Sequence, residues 1–162
     1  MARVALITGG NVGDAEATLA EAERLIAVEV GTIKCRSRIY RTKAWGFEAD
    51  DFRNQVLVVE SELEPLALLD AVNDIERRLG RDRAEEQKVK SATGARYASR
   101  SIDIDILFYD ALVVESERLT LPHPRIAERD FVLEPLVEVV PQWLHPVSGK
   151  SVEQMFEELK QR

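Results

Sequence analysis

The sequence predicts an α+β sandwich: an antiparallel sheet with helices packed on it, followed by C-terminal additions. Three observations carry that reading. Short apolar runs of strand length alternate with amphipathic stretches at helical spacing, their order is βαββαβ, and a proline-broken segment follows. That order is the split-βαβ arrangement of a ferredoxin-like sheet, with helices on one face.

The elements follow in chain order. Val4-Ala5-Leu6-Ile7 is an apolar run of strand length ended by Thr8-Gly9-Gly10, so it reads as a buried strand. Gly9-Gly10-Asn11-Val12-Gly13 then reads as a tight turn. It lacks the Lys-Ser/Thr of a phosphate-cradling Walker loop and the spacing of a dinucleotide fingerprint. Asp14 offers an N-cap to a helix carrying Leu19, Ala22 and Ile26. Gly31–Tyr40 and Phe52–Glu60 are rich in β-branched and aromatic residues and predict a strand pair joined by the loop Lys43–Asp51.

Pro65 opens a second helix and Gly80 closes it, with Leu66, Leu69, Val72, Ile75 and Leu79 expected on one face. Residues 84–95 show no apolar period and read as a long loop within one domain spanning 1–162. Ser101–Tyr109 alternates clearly as a strand, and Asp110-Ala111 is expected to turn it back into Leu112–Val114. Five prolines from Pro122 to Pro146 break the C-terminal third into short helices, and Ser151–Lys160 forms a last amphipathic helix.

Composition narrows the function classes. Twenty-two Lys and Arg stand against 29 Asp and Glu, a net charge of −7 that opposes a general nucleic-acid surface. A lone cysteine, Cys35, excludes an internal disulfide and a cysteine-rich zinc site. The first apolar run is too short for a signal peptide and no run reaches the roughly 20 residues of a membrane helix, so a cytoplasmic protein is expected. The sequence shows no obligate protein partner. Cys35, Trp143 and His145 read as structural.

The chemistry concentrates in three places. Asp103 and Asp105 lie two apart on a strand, so both carboxylates leave one face about 7 Å apart while Ile102, Ile104 and Ile106 anchor the other. Two like charges held side by side invite a counter-charge, and paired hard oxygen donors suit Mg²⁺. The segment 81–100 holds six cations (Arg81, Arg83, Lys88, Lys90, Arg96, Arg100) and three anions, a local +3 in an acidic chain. Beside a carboxylate pair, such a segment can meet a polyphosphate. Trp45, Phe47 and Phe52 with Asn54 suit a flat heterocycle, although packing into the core would use the same aromatics.

In order and spacing the chain resembles the 6-hydroxymethyl-7,8-dihydropterin pyrophosphokinases of folate biosynthesis. The matching stretches are Gly9-Gly10-Asn11, Tyr40-Arg41-Thr42 with Gly46, Phe52-x-Asn54, Glu76-x-x-Leu79-Gly80-Arg81-x-Arg83, Arg100-x-x-Asp103-Ile104-Asp105, Arg118-Leu119-Thr120-Leu121-Pro122-His123 and Arg129-x-Phe131-Val132-Leu133-x-Pro135-Leu136. The resemblance implies a ferredoxin-like fold and transfer of the β,γ-diphosphate of ATP to a pterin hydroxymethyl group, with AMP leaving.

By resemblance, Asp103 and Asp105 hold two Mg²⁺ ions and Arg81 and Arg100 stabilise the transferring group. Arg83, His123 and Arg129 hold the triphosphate, and Ile106, Arg118 and Thr120 meet the nucleoside. Phe52 and Phe131 sandwich the pterin; Thr42, Lys43, Trp45 and Asn54 read its edge, and Tyr97 stands where the family usually has Trp. The chain departs from the usual pattern at Gly10, at Lys43-Ala44, in a longer loop over 84–95 and in Arg96-Tyr97-Ala98-Ser99-Arg100. A Mg²⁺-dependent phosphohydrolase or nuclease, or a non-catalytic nucleotide- or pterin-binding module, is the alternative.

Overall fold

The computed structural model describes residues 1–42, 51–80 and 102–161. Its sheet contains β1 (Ala2–Gly10), β2 (Thr32–Arg36), β3 (Tyr40–Thr42), β4 (Phe52–Ser61) and β5 (Asp103–Tyr109). The order is β2-β4-β1-β5, with β3 also paired to β4, and every pairing is antiparallel. β1 therefore runs parallel to β2 with β4 between them, and β4 runs parallel to β5 with β1 between them. Helices α1 (Ala15–Glu29) and α2 (Pro65–Arg78) make the two crossovers of this ferredoxin-like sheet.

Both faces of the sheet are covered: α1 and α2 lie on one, as expected of this order, and the C-terminal helices close the other. Leu6, Leu57, Val59, Ile104 and Ile106 pack under α1 and α2 against Leu19, Ile26, Leu68, Val72 and Ile75. Ala5, Ile7, Val56, Val58 and Phe108 pack on the opposite side against Val132, Leu133, Leu136, Val152 and Met155. Those last five belong to α3 (Asp130–Val139) and α4 (Val152–Lys160). The reason is in β1 and β4: Val4–Ile7 and Val56–Val59 are apolar at every position, so one layer of helices would leave half of their area in water.

Local chemistry sets the element ends. The Asp14 carboxylate accepts the Ala17 N–H at 3.0 Å, and Pro65 occupies the first turn of α2. Ser151 and Gln154 form a reciprocal capping box at 3.1 and 2.9 Å. The predicted strand 31–40 is split: buried Ser37 donates its N–H to the Val56 carbonyl at 2.9 Å and accepts the Val56 N–H on Oγ at 3.0 Å, and the chain restarts as β3.

Three further expectations change. Gly9 and Gly10 lie inside β1 rather than in a turn. Leu66 points to solvent at 45% exposure while Leu68 is fully buried, because the buried stripe of α2 runs Leu68-Val72-Ile75-Glu76. Asp110 turns in the left-handed region at φ 50°, but the next strand, β6 (Val114–Glu115), pairs with β7 (Thr120–Leu121) instead of returning along β5. Among the described residues no helix is long and apolar enough to cross a membrane.

The corrected face of α2 makes a direct test. Ile75→Ala is expected to cost about 2–5 kcal/mol in urea unfolding, through lost burial and the cavity left behind, while Leu66→Ala stays within about 0.5 kcal/mol.

Candidate functional site

The sheet register assembles the site. On β1, Gly9 pairs with Asn54 of β4 on one side and with Asp103 of β5 on the other, and Asn54 pairs in turn with Tyr40 of β3. Directly paired residues share a face, so Asp103, Gly9, Asn54 and Tyr40 form one row across four strands. Asp105 pairs with Ile7, one row further into the sheet, and Phe52 pairs with Thr42 in the row just past the end of β1. Ile7 and Val56 belong to the core under α3 and α4, so the whole set opens on that side.

Gly9 forms the floor between the carboxylate and the amide. A Cβ there would lie 2.4 Å from Asn54 Oδ1, so the Asn54 carboxamide rests across the bare Cα. Asn54 is buried, and its Nδ2 reaches Thr42 Oγ1 only at 3.5 Å, the outer limit of a hydrogen bond. Helix α3 packs on β4 and β3. It therefore sets Phe131 on the same side as Phe52, Asn54 and Thr42. The Arg129 guanidinium, at the entry to α3, lies 5.5 Å from the Phe131 ring centroid.

Asp103 and Asp105 are half-buried and on one face, while Ile102, Ile104 and Ile106 are sunk in the opposite core. Glu76, 1% exposed on α2, accepts the Ile104 N–H at 2.7 Å, between the two aspartates. That bond fastens the outer edge of β5 where the carboxylates stand. The signal for it was a charged residue in the apolar stripe of α2, which an assignment by hydrophobic spacing alone skips. Among the described residues no cluster of three or more His, Cys, Asp or Glu ligands forms. Two hard carboxylates fit Mg²⁺, which leaves its other positions to water and phosphate oxygens.

His123 approaches along the outer edge of β5. Its N–H donates to the Leu107 carbonyl at 2.9 Å, and its Nδ1 accepts the Arg125 N–H at 3.3 Å. Burial pushes the imidazole below its ordinary pKa, the Arg129 cation adds to this, and the Asp103 carboxylate opposes it. The neutral ring that results carries its proton on Nε2 and presents a donor.

The remaining residues sit at the neighbouring edge. The Ile106 side chain lies in the core under α1 and α2, so only its backbone is open to a ligand; the alternation from Ile104 turns its N–H and C=O to the outer edge of β5. The short strand β7, with exposed Thr120, lies against β5, and Arg118 makes an ion pair with Asp70 of α2. Arg81, Arg83, Arg100, Lys43, Trp45 and Tyr97 lie outside the described residues.

Comparison with known proteins places the chain in a family. The family model of the 7,8-dihydro-6-hydroxymethylpterin-pyrophosphokinases matches residues 5–141. A 2-amino-4-hydroxy-6-hydroxymethyldihydropteridine pyrophosphokinase of Porphyromonas gingivalis is 42% identical over 148 residues, covering 90% of this chain and 95% of the relative. One of the same name from Methylorubrum extorquens is 38% identical over 161 residues, covering 98% and 94%. The Plasmodium falciparum HPPK-DHPS crystal structure shares the fold, with a TM-score of 0.76 at 14% identity, over 97% of this chain and 44% of that one.

The family match and these relatives define an ATP-dependent diphosphotransferase, the pyrophosphokinase class. Within that class, the chain belongs to the 7,8-dihydro-6-hydroxymethylpterin-pyrophosphokinase family.

The contact at Gly9 yields a prediction. Gly9→Ala is expected to destabilise by about 1–3 kcal/mol in urea unfolding through overpacking against Asn54, against the usual gain of Ala over Gly in a strand. Adding Asn54→Ala should recover most of that loss, a non-additivity that a double-mutant cycle reads directly.

Proposed function

We propose that this chain transfers the β,γ-diphosphate of ATP to the hydroxymethyl group of 6-hydroxymethyl-7,8-dihydropterin in a Mg²⁺-dependent reaction that releases AMP. The observation that carries the reading is the row Asp103–Gly9–Asn54, in which a carboxylate fit for a metal–phosphate complex and an amide fit for a heterocycle edge are separated by one bare glycine.

In this reading Phe52 and Phe131 cover the two faces of the pterin, and Asn54 with Thr42 reads its edge. Lys43, Trp45 and Tyr97 are assigned to the same pocket by the family resemblance. Asp103 and Asp105 are the ligands for two Mg²⁺ ions, which when bound would neutralise phosphate charge and align the attacked phosphorus. His123 donates from Nε2 to a phosphate oxygen and Arg129 offers its guanidinium beside it, with Arg83 as a third holder. Arg81 and Arg100 meet the charge that builds on the transferring group. The backbone of Ile106, with Thr120 and Arg118, takes the nucleoside at the outer edge of β5.

This division needs no protein nucleophile. Phosphoryl-type transfer responds to positioning and charge stabilisation, and a rigid sheet row supplies the first. The reading places the work in the cytoplasm, where ATP is supplied, in one catalytic unit spanning 1–162.

The test is product analysis. Purified protein with ATP, Mg²⁺ and the pterin is expected to form AMP and a pterin diphosphate in equal amounts, both absent without pterin. ADP, or phosphate released without pterin, would identify an ordinary kinase or a hydrolase instead. Asp103→Asn and Asp105→Asn are each expected to lower kcat by about 10³-fold or more, the scale of losing a main electrostatic stabiliser. An unchanged circular-dichroism spectrum and melting temperature would place that loss in the chemistry.

A further inference from the structure

Glu138, Tyr40 and Arg38 form a tight cluster at the Tyr40 end of the row described above. The Glu138 carboxylate accepts from the Tyr40 hydroxyl at 2.5 Å, from the Arg38 backbone N–H at 3.0 Å and from Arg38 Nε at 3.2 Å. Arg38 also donates from Nη2 to the Tyr40 hydroxyl at 3.1 Å and lies over its ring, 5.3 Å from the centroid. Two of these donors, a phenol and a backbone amide, have little freedom to lose, so the bonds are geometrically strict.

The position of the cluster gives it a role. Strand β3 is three residues long and, among the described residues, pairs with β4 alone, so its ladder is a weak anchor. It carries Tyr40 opposite Asn54 and Thr42 opposite Phe52. Glu138 stands seven residues beyond Phe131 on α3, two turns along, so the two share one helix face about 10 Å apart. One end of that face thus grips β3 while the other carries Phe131, on the side of the sheet that bears Thr42 and Phe52.

As a surface ion pair, with Arg38 79% exposed, the cluster is worth little stability. Its carboxylate is nonetheless held ionised. Partial burial works to raise the Glu138 carboxyl, and the bonds from Tyr40 and Arg38 overcome it and leave it below the ordinary range.

We propose that Glu138, with Tyr40 and Arg38, is a positioning clamp that fixes α3 against β3 and so sets the separation of Phe131 from Phe52 and Thr42 for a planar ring. The inference rests on the pterin pocket proposed above and adds residues that touch neither substrate.

The experiment measures kcat/KM for 6-hydroxymethyl-7,8-dihydropterin at saturating ATP, kcat/KM for ATP at saturating pterin, and melting temperature. The proteins are the full chain and its Glu138→Ala, Glu138→Gln, Tyr40→Phe and Glu138→Gln/Tyr40→Phe variants. The expected result is a fall of about tenfold in the pterin value for Glu138→Ala and Tyr40→Phe, the scale of a lost hydrogen bond to a charged group. Glu138→Gln, which keeps an acceptor, should recover part of it, the double variant should be no worse than Tyr40→Phe, and the ATP value should hold within twofold.

Equal falls in both values, or a lower melting temperature with neither value changed, would reduce the cluster to a structural contact and overturn the proposal. Asn54→Ala separates the two levels. If it lowers the pterin value and the clamp variants do not, the clamp alone is wrong; if it too leaves the pterin value unchanged, the pocket reading falls and the clamp with it.

Discussion

The position of β1 between β4 and β5 is the constraint on which the rest depends. The strand is paired on both edges and its central run is buried on both faces, so its register cannot slip without carrying core side chains to the wrong layer. Everything placed by pairing inherits that rigidity: Asp103 through Gly9, Asp105 through Ile7, Asn54 through Gly9 again. The site lies where this strand ends, so its side chains combine a fixed origin with an open front.

Charge is distributed against the average of the chain. A net charge of −7 would repel a polyphosphate, yet the groups that face the site include the Arg129 guanidinium and a His123 held neutral by burial and nearby cations. The carboxylates there are held close together by backbone geometry, with Glu76 fastening the Ile104 amide between them. A strand is a stiff support for two like charges, because relief by rotation is limited to the side chains.

Much of this was legible in the residues. The Asp-Ile-Asp-Ile alternation placed the aspartates on one face and the isoleucines on the other, and the structure has both. Asp14, Pro65 and Ser151 announced their helix starts because capping is local chemistry. The error on α2 arose because spacing gives a period but not its phase. Leu66 and Leu68 are equally apolar, and only the packing of α2 on β5 and α1 decides which is buried. Gly9-Gly10 looks like a turn because two glycines commonly make one; inside β1 the first makes room for a neighbour's amide.

The sequence by itself determined the order of elements, the strand alternation at Asp103 and Asp105 and, through the succession of its motifs, the family, since each depends on residues close in the chain. Tertiary structure alone decided that Gly9 stands between Asp103 and Asn54, that Ile106 offers backbone but no side chain, that the second face of the sheet is closed by α3 and α4, and that Glu138 reaches Tyr40. Those relations join residues far apart in the chain, and strand register and layer packing are set only when both faces of the sheet find their partners at once.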